Sequence, residues 1–142
     1  MGANVSAMKV VLDTNTAVSA TLCPLGRLAW MRHRWTIGDI VPLVCPATAR
    51  ALIRVLGYPK FKLDEDDIRV VLAANLPFTE TVADDPSSDL PRCSDPDDQI
   101  FLDLTFAGHA EVLVTGDGAL LDMNDQVPFA IETSAEFKTR FR

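Results

Sequence analysis

Lys9-Val10-Val11-Leu12-Asp13 is a short β-branched run that ends on a charge. A strand that is apolar on both sides suits a parallel sheet covered by helices on both faces. Outward from it, the chain alternates. Thr14-Asn15-Thr16 offers capping groups before a helical stretch Ala17–Leu22. Leu28, Met31 and Trp35, spaced i, i+3 and i+7, predict a helix over 25–37, and Ile40–Val44 reads as a second strand. Pro46 suits the start of a helix that ends at Gly57, with Leu52, Val55 and Leu56 on its apolar side. The acidic turn Asp64-Glu65-Asp66-Asp67 opens another helix, reaching Asn75. Strands are further predicted over 78–82, 111–115 and 127–131, with helices over 96–108 and 118–121. Ser134 is expected to cap a last turn carrying Phe137. Strands alternating with helices predict a three-layer α/β/α sandwich around a mainly parallel five-stranded sheet.

The chain has 142 residues, and hydrophobic residues make up 48% of it, enough for one cored domain without metal or disulfide staples. Residues 1–7 read as an N-terminal extension before Met8, and 8–142 as a single domain. No apolar run approaches the roughly 18–20 residues of a membrane span, and the first residues lack a signal-peptide pattern. A cytoplasmic protein is expected. Cys23, Cys45 and Cys93 are odd in number and widely spaced, which argues against a disulfide framework or zinc site. Cys45 reads as a small core residue, and Cys93, before a polar loop, as partly exposed. Thirteen Lys and Arg stand against twenty Asp and Glu, for a net charge of −7. That balance disfavours a general nucleic-acid binder, unless carboxylates gather cations that cancel their charge locally.

Three aspartates occupy positions where ligands bind in parallel sheets, beyond the carboxyl ends of the strands. Asp13 follows the first strand, and Asp117 follows the fourth, within Thr115-Gly116-Asp117-Gly118. Asp98 lies in Ser94-Asp95-Pro96-Asp97-Asp98 at the start of a helix. Each also has a plain structural reading. Asp13 and Asp117 can cap the helices after them, and Asp95, Asp97 and Asp98 complement a helix dipole. The flanking glycines suit either a close backbone approach at a crowded site or an ordinary turn. Taken together, clustered carboxylates suit a hard cation such as Mg²⁺ or Mn²⁺. Such ions activate water for phosphodiester cleavage. His33 and His109 stand alone, and no P-loop, GxGxxG or GxSxG motif occurs.

These stretches, with Arg54-Val55-Leu56-Gly57-Tyr58-Pro59-Lys60-Phe61, Phe101-Leu102, Leu113-Val114 and Ser134-Ala135-Glu136-Phe137, resemble those of PIN-domain proteins. The resemblance is to the VapC-like toxin components of toxin–antitoxin systems and spans roughly residues 9–137. It implies a Mg²⁺- or Mn²⁺-dependent ribonuclease, with RNA as substrate, a cognate antitoxin as protein partner and a homodimer as a candidate assembly. It places Asp13, Asp98 and Asp117 at the family's first, third and fourth acids. Asn15 and Thr115 match polar positions near the metal, and Asp95 or Asp97 is a candidate accessory acid in place of a missing one. The family's second acid falls at Ala51, and residues 41–62 contain no Asp or Glu. That absence raises an alternative: a catalytically weakened PIN domain that binds RNA or protein. Arg50 and Arg54, four apart on the same helix, are candidates for RNA phosphates or for surface ion pairs. Arg27, Arg32 and Arg34 form a second basic stretch beside Trp30 and Trp35, in a region that contacts the antitoxin in this family. The tryptophans themselves also suit the core. A phosphotransfer enzyme using Asp13 as nucleophile is a third class, but Asp13-Thr14-Asn15 lacks its D-x-D pattern.

Overall fold

The computed structural model describes residues 7–23 and 25–141. Five parallel strands form one sheet in the order β3-β2-β1-β4-β5. They are β1 (Met8–Leu12), β2 (Ile40–Val44), β3 (Glu80–Thr81), β4 (Val112–Val114) and β5 (Ala130–Glu132). Seven α-helices are found among the described residues: α1 (Thr14–Leu22), α2 (Ala29–Thr36), α3 (Pro46–Leu56), α4 (Glu65–Asn75), α5 (Gln99–Ala107), α6 (Gly118–Leu121) and α7 (Ser134–Lys138). None is long and apolar enough to cross a membrane.

Strand periodicity decides the layering. Val10, Leu12, Val112 and Val114 point to one face, where they pack with Met31 and Trp35 of α2 and Phe137 of α7. Val11 and Leu113 point to the other, against Phe101, Leu102 and Leu104 of α5 and Leu120 of α6. The predicted α/β/α sandwich is therefore present. A third cluster joins α1, α3 and α4 through Val18, Val55, Leu56, Ile68 and Leu72. It fixes α3 against α1, the helix that follows β1, and α3 also touches α5.

Several boundaries differ from expectation. The second helix begins at Ala29, not Leu25, because the chain turns at Gly26, whose N–H donates to the Cys23 carbonyl. A Cβ on Gly26 would lie 2.7 Å from that of Cys23, so the turn requires glycine. Strand β3 keeps only two residues, since Pro77 lies in a 3-10 turn over Leu76–Phe78. The fifth strand starts three residues late, after a 3-10 turn from which Asn124 accepts the Ile131 N–H. Thr133, not Ser134, caps α7 by accepting the Glu136 N–H. Cys93 is buried rather than partly exposed, its N–H held by Gln99 at 2.7 Å. Cys45 is in the core as expected, and Cys23 is exposed. The proposed extension lies outside the described residues except for Ala7.

Candidate active site

Strands β1 and β4 are neighbours in register, with Leu12 opposite Val114. Asp13 and Thr115 therefore leave the sheet side by side, and the Asp13 N–H donates to the Val114 carbonyl at 3.1 Å. Thr115 joins two of the acids. Its hydroxyl donates to Asp13 Oδ2 and accepts the Asp117 N–H at 2.9 Å. Asp13 Oδ1 accepts the Thr16 N–H at 2.8 Å and so caps α1, while Asp117 Oδ1 accepts the Ala119 N–H at 2.9 Å and caps α6. Both plain readings of these residues are realised. Capping does not exclude a second role, because each carboxylate oxygen has two lone pairs.

Asp98 differs. It sits at the junction of the 3-10 turn Pro96–Asp98 and α5, and its side chain makes no capping bond. Asp95 caps that turn instead, accepting the Asp97 N–H at 3.0 Å. Asp98 Oδ2 is buried and has no hydrogen-bond partner. Burial pushes its pKa up to about 7, and Asp117, Asp95 and Asp13 push in the same direction. Below about pH 7 Asp98 therefore holds its proton, which relieves its repulsion with the neighbouring acids.

Asp13, Asp98 and Asp117 line one cleft with Asn15, Asp97, Ala51, Arg54 and Tyr58. A second cleft, on the α2 and α7 side, shares Asp13, Asn15 and Asp117 and adds Arg27, Thr115 and Ser134. Gly116 and Gly118 border open space, since an added Cβ would touch nothing within 4 Å. Their presence reflects a turn and not a crowded approach. Asp95, expected as an accessory acid, lines neither cleft, although its charge is felt at Asp98.

The acids are suited in kind to a hard cation: an orphaned buried carboxylate oxygen beside two more carboxylates is short of positive charge. Among the described residues, however, no three His, Cys, Asp or Glu side chains stand close enough to enclose an ion as placed. Asp13, Asp98 and Asp117 thus share one cleft without enclosing an ion. Ala51 lines this cleft, so the residue expected to be acidic faces the site as an apolar methyl.

The basic residues divide. Arg54 lines the cleft, but Arg50 lines neither cleft and pairs with Asp85 at 3.3 Å. Asp85 also accepts the Ala47 N–H at the start of α3, and that bond holds its carboxyl below the usual range. The second basic stretch is not a patch. Arg32 donates to Asn75 and Arg34 to Asp39 at 2.6 Å, while Arg27 lies in the turn before α2. Trp35 is buried, and Trp30 packs against Phe137 and Phe141. Arg27 is the cleft residue least visible in the sequence. Gly26 was the available signal, because it breaks the helical pattern and turns the chain there.

No curated protein matches the sequence. Among solved structures, the fold is similar to that of a chain in the crystal structure of VapBC2 from Rickettsia felis bound to a DNA fragment from their promoter. The match has a TM-score of 0.62 and covers 89% of this chain and 98% of that one. Identity is 14%, so the likeness is one of fold. Residues 9–119, which carry Asp13, Asp98 and Asp117, match the PIN domain, and the chain belongs to the PIN domain family.

Proposed function

We propose that this chain is an endoribonuclease that depends on a divalent cation, Mg²⁺ or Mn²⁺, and that it acts as the VapC-like toxin of a toxin–antitoxin pair. The observation that carries this reading is Asp98: a buried carboxylate oxygen without a partner, whose pKa burial and then the neighbouring acids raise to about 7. Structural acids are normally saturated with donors. One that is not is a candidate for chemistry.

In this reading Asp13, Asp98 and Asp117 hold the cation, which when bound lowers the pKa of water and offsets charge on the phosphodiester. Thr115 orients Asp13 by hydrogen bonding and ties it to the Asp117 backbone. Asn15, which lines both clefts, is placed to donate to a phosphate oxygen or to water. The antitoxin partner follows from the sequence resemblance and is supported by a fold neighbour that is itself a VapBC2 assembly.

The test is cleavage of RNA by the purified chain with Mg²⁺ or Mn²⁺, and its abolition by EDTA. Activity that survives EDTA, or an Asp98→Asn variant as active as the parent, overturns the reading.

Ala51 in the cleft supports a second reading, a weakened nuclease that works chiefly by binding. Ala51→Glu then raises cleavage sharply. A variant no faster than the parent counts against the missing acid as the cause.

A further inference from the structure

In a chain with seven more acids than bases, a cation easily finds an acid. Six of the eight arginines among the described residues are engaged. Arg32 donates to Asn75, Arg34 to Asp39, Arg50 to Asp85, Arg69 to Asp66, Arg92 to the Ser88 carbonyl and Arg140 to both oxygens of Glu132. The other two are Arg27 and Arg54. Both are exposed, and neither has an ion pair or side-chain hydrogen bond among the described residues. Each lines a different one of the two clefts, and the clefts meet at Asp13, Asn15 and Asp117.

The charge pattern across this end of the molecule is therefore cation, carboxylates, cation. Such a pattern repels a lone phosphate at its centre unless a metal is bound, and attracts a polyanion long enough to reach both flanks. The clefts are concave, which favours a flexible single strand over a rigid duplex. On the Arg54 side, Tyr58 is 42% exposed and presents a ring for a base.

Resting on the ribonuclease reading above, we propose that single-stranded RNA runs through both clefts across the acids. Arg54 holds a phosphate on one side of the cleaved bond and Arg27 a phosphate on the other, with a base stacked on Tyr58 beside Arg54. Both arginines are positioning residues. They explain how an acidic protein holds a polyanion without a basic face, and Arg50 takes no part.

The experiment reads binding apart from cleavage. Fluorescence anisotropy follows a labelled ten-nucleotide single-stranded RNA on the full chain, with Ca²⁺ replacing Mg²⁺, across a range of salt concentrations. Arg27→Ala and Arg54→Ala each lower the slope of log affinity against log salt by about 0.7, and the double variant by about 1.4. Arg69→Ala, away from both clefts, leaves the slope unchanged. Tyr58→Leu weakens binding about fivefold or more with the slope unchanged, as stacking lost without charge requires. Arginine variants with the parent's slope overturn the proposal. If that parent still cleaves RNA, the ribonuclease reading stands; if the parent neither binds nor cleaves, both fall together.

Discussion

Asp98 and Asp103 lie five residues apart on one continuous helical segment, and their surroundings are opposite. Asp103 is 5% exposed, accepts bonds from the Ser88 hydroxyl and from Gln99 Nε2, and through them ties the 84–93 loop to α5. Gln99 completes the tie by accepting the Cys93 N–H. Asp98 faces other acids and keeps a buried oxygen without a donor. The contrast separates two uses of a carboxylate on the same helix. One is saturated so that the chain holds its shape, and the other is left short of positive charge for something outside the chain to supply.

The sharpest way to break the comparison is to neutralise each acid in turn. Asp98→Asn is expected to lower RNA cleavage about a hundredfold or more while raising the melting temperature of the metal-free protein at pH 8, where Asp98 is charged and the variant removes a repulsive charge. Asp103→Ala reverses the pattern. It strands the Gln99 and Ser88 donors, costs about 2 kcal/mol of stability, and leaves cleavage per folded molecule near the parent's. Thermal melts beside cleavage assays check both, and parallel losses in both variants would dissolve the distinction.

A smaller effect sharpens it through pH. Asp98 keeps its proton up to about pH 7 in the folded protein, while the unfolded chain releases it near the ordinary 3.8. Between those values the folded state binds more protons, so stability is present at low pH and is lost as pH rises towards 7. Melting temperatures of the metal-free protein should decline across that window. The decline should be shallower in Asp98→Asn, and added Mg²⁺ should offset it at pH 7–8. Equal pH slopes in parent and variant would show that Asp98 is not the titrating group. Smallest of all, Arg50→Ala should change cleavage by less than about twofold, since an exposed ion pair contributes little.

Much of this was readable from residues. The run Val10–Leu12 announced a doubly covered strand, and its end point placed Asp13 where parallel sheets bind ligands. Asp117 followed by the same logic from Leu113 and Val114. Asp98 was ambiguous because a dipole-complementing acid and a ligand have the same local signature; only burial and the absence of a donor separate them. The arginines were harder. Arg50 and Arg54 share a helix side, and what distinguishes them is Asp85, thirty-five residues away on an irregular loop. The network around Asp103 depends on the same loop. Side-chain partners across such distances leave no periodicity, and neither does the register that delays β5 until Ala130.

The neighbouring places of β1 and β4 have a consequence for synthesis. The Thr115 hydroxyl meets Asp13 across 102 positions of chain, so the first strand made occupies the sheet's centre long before its partner on that side exists. No nascent chain that stops before Asp117 contains all three acids. On the proposed reading, a ribosome making this protein would be spared its action until the fourth strand has emerged and paired.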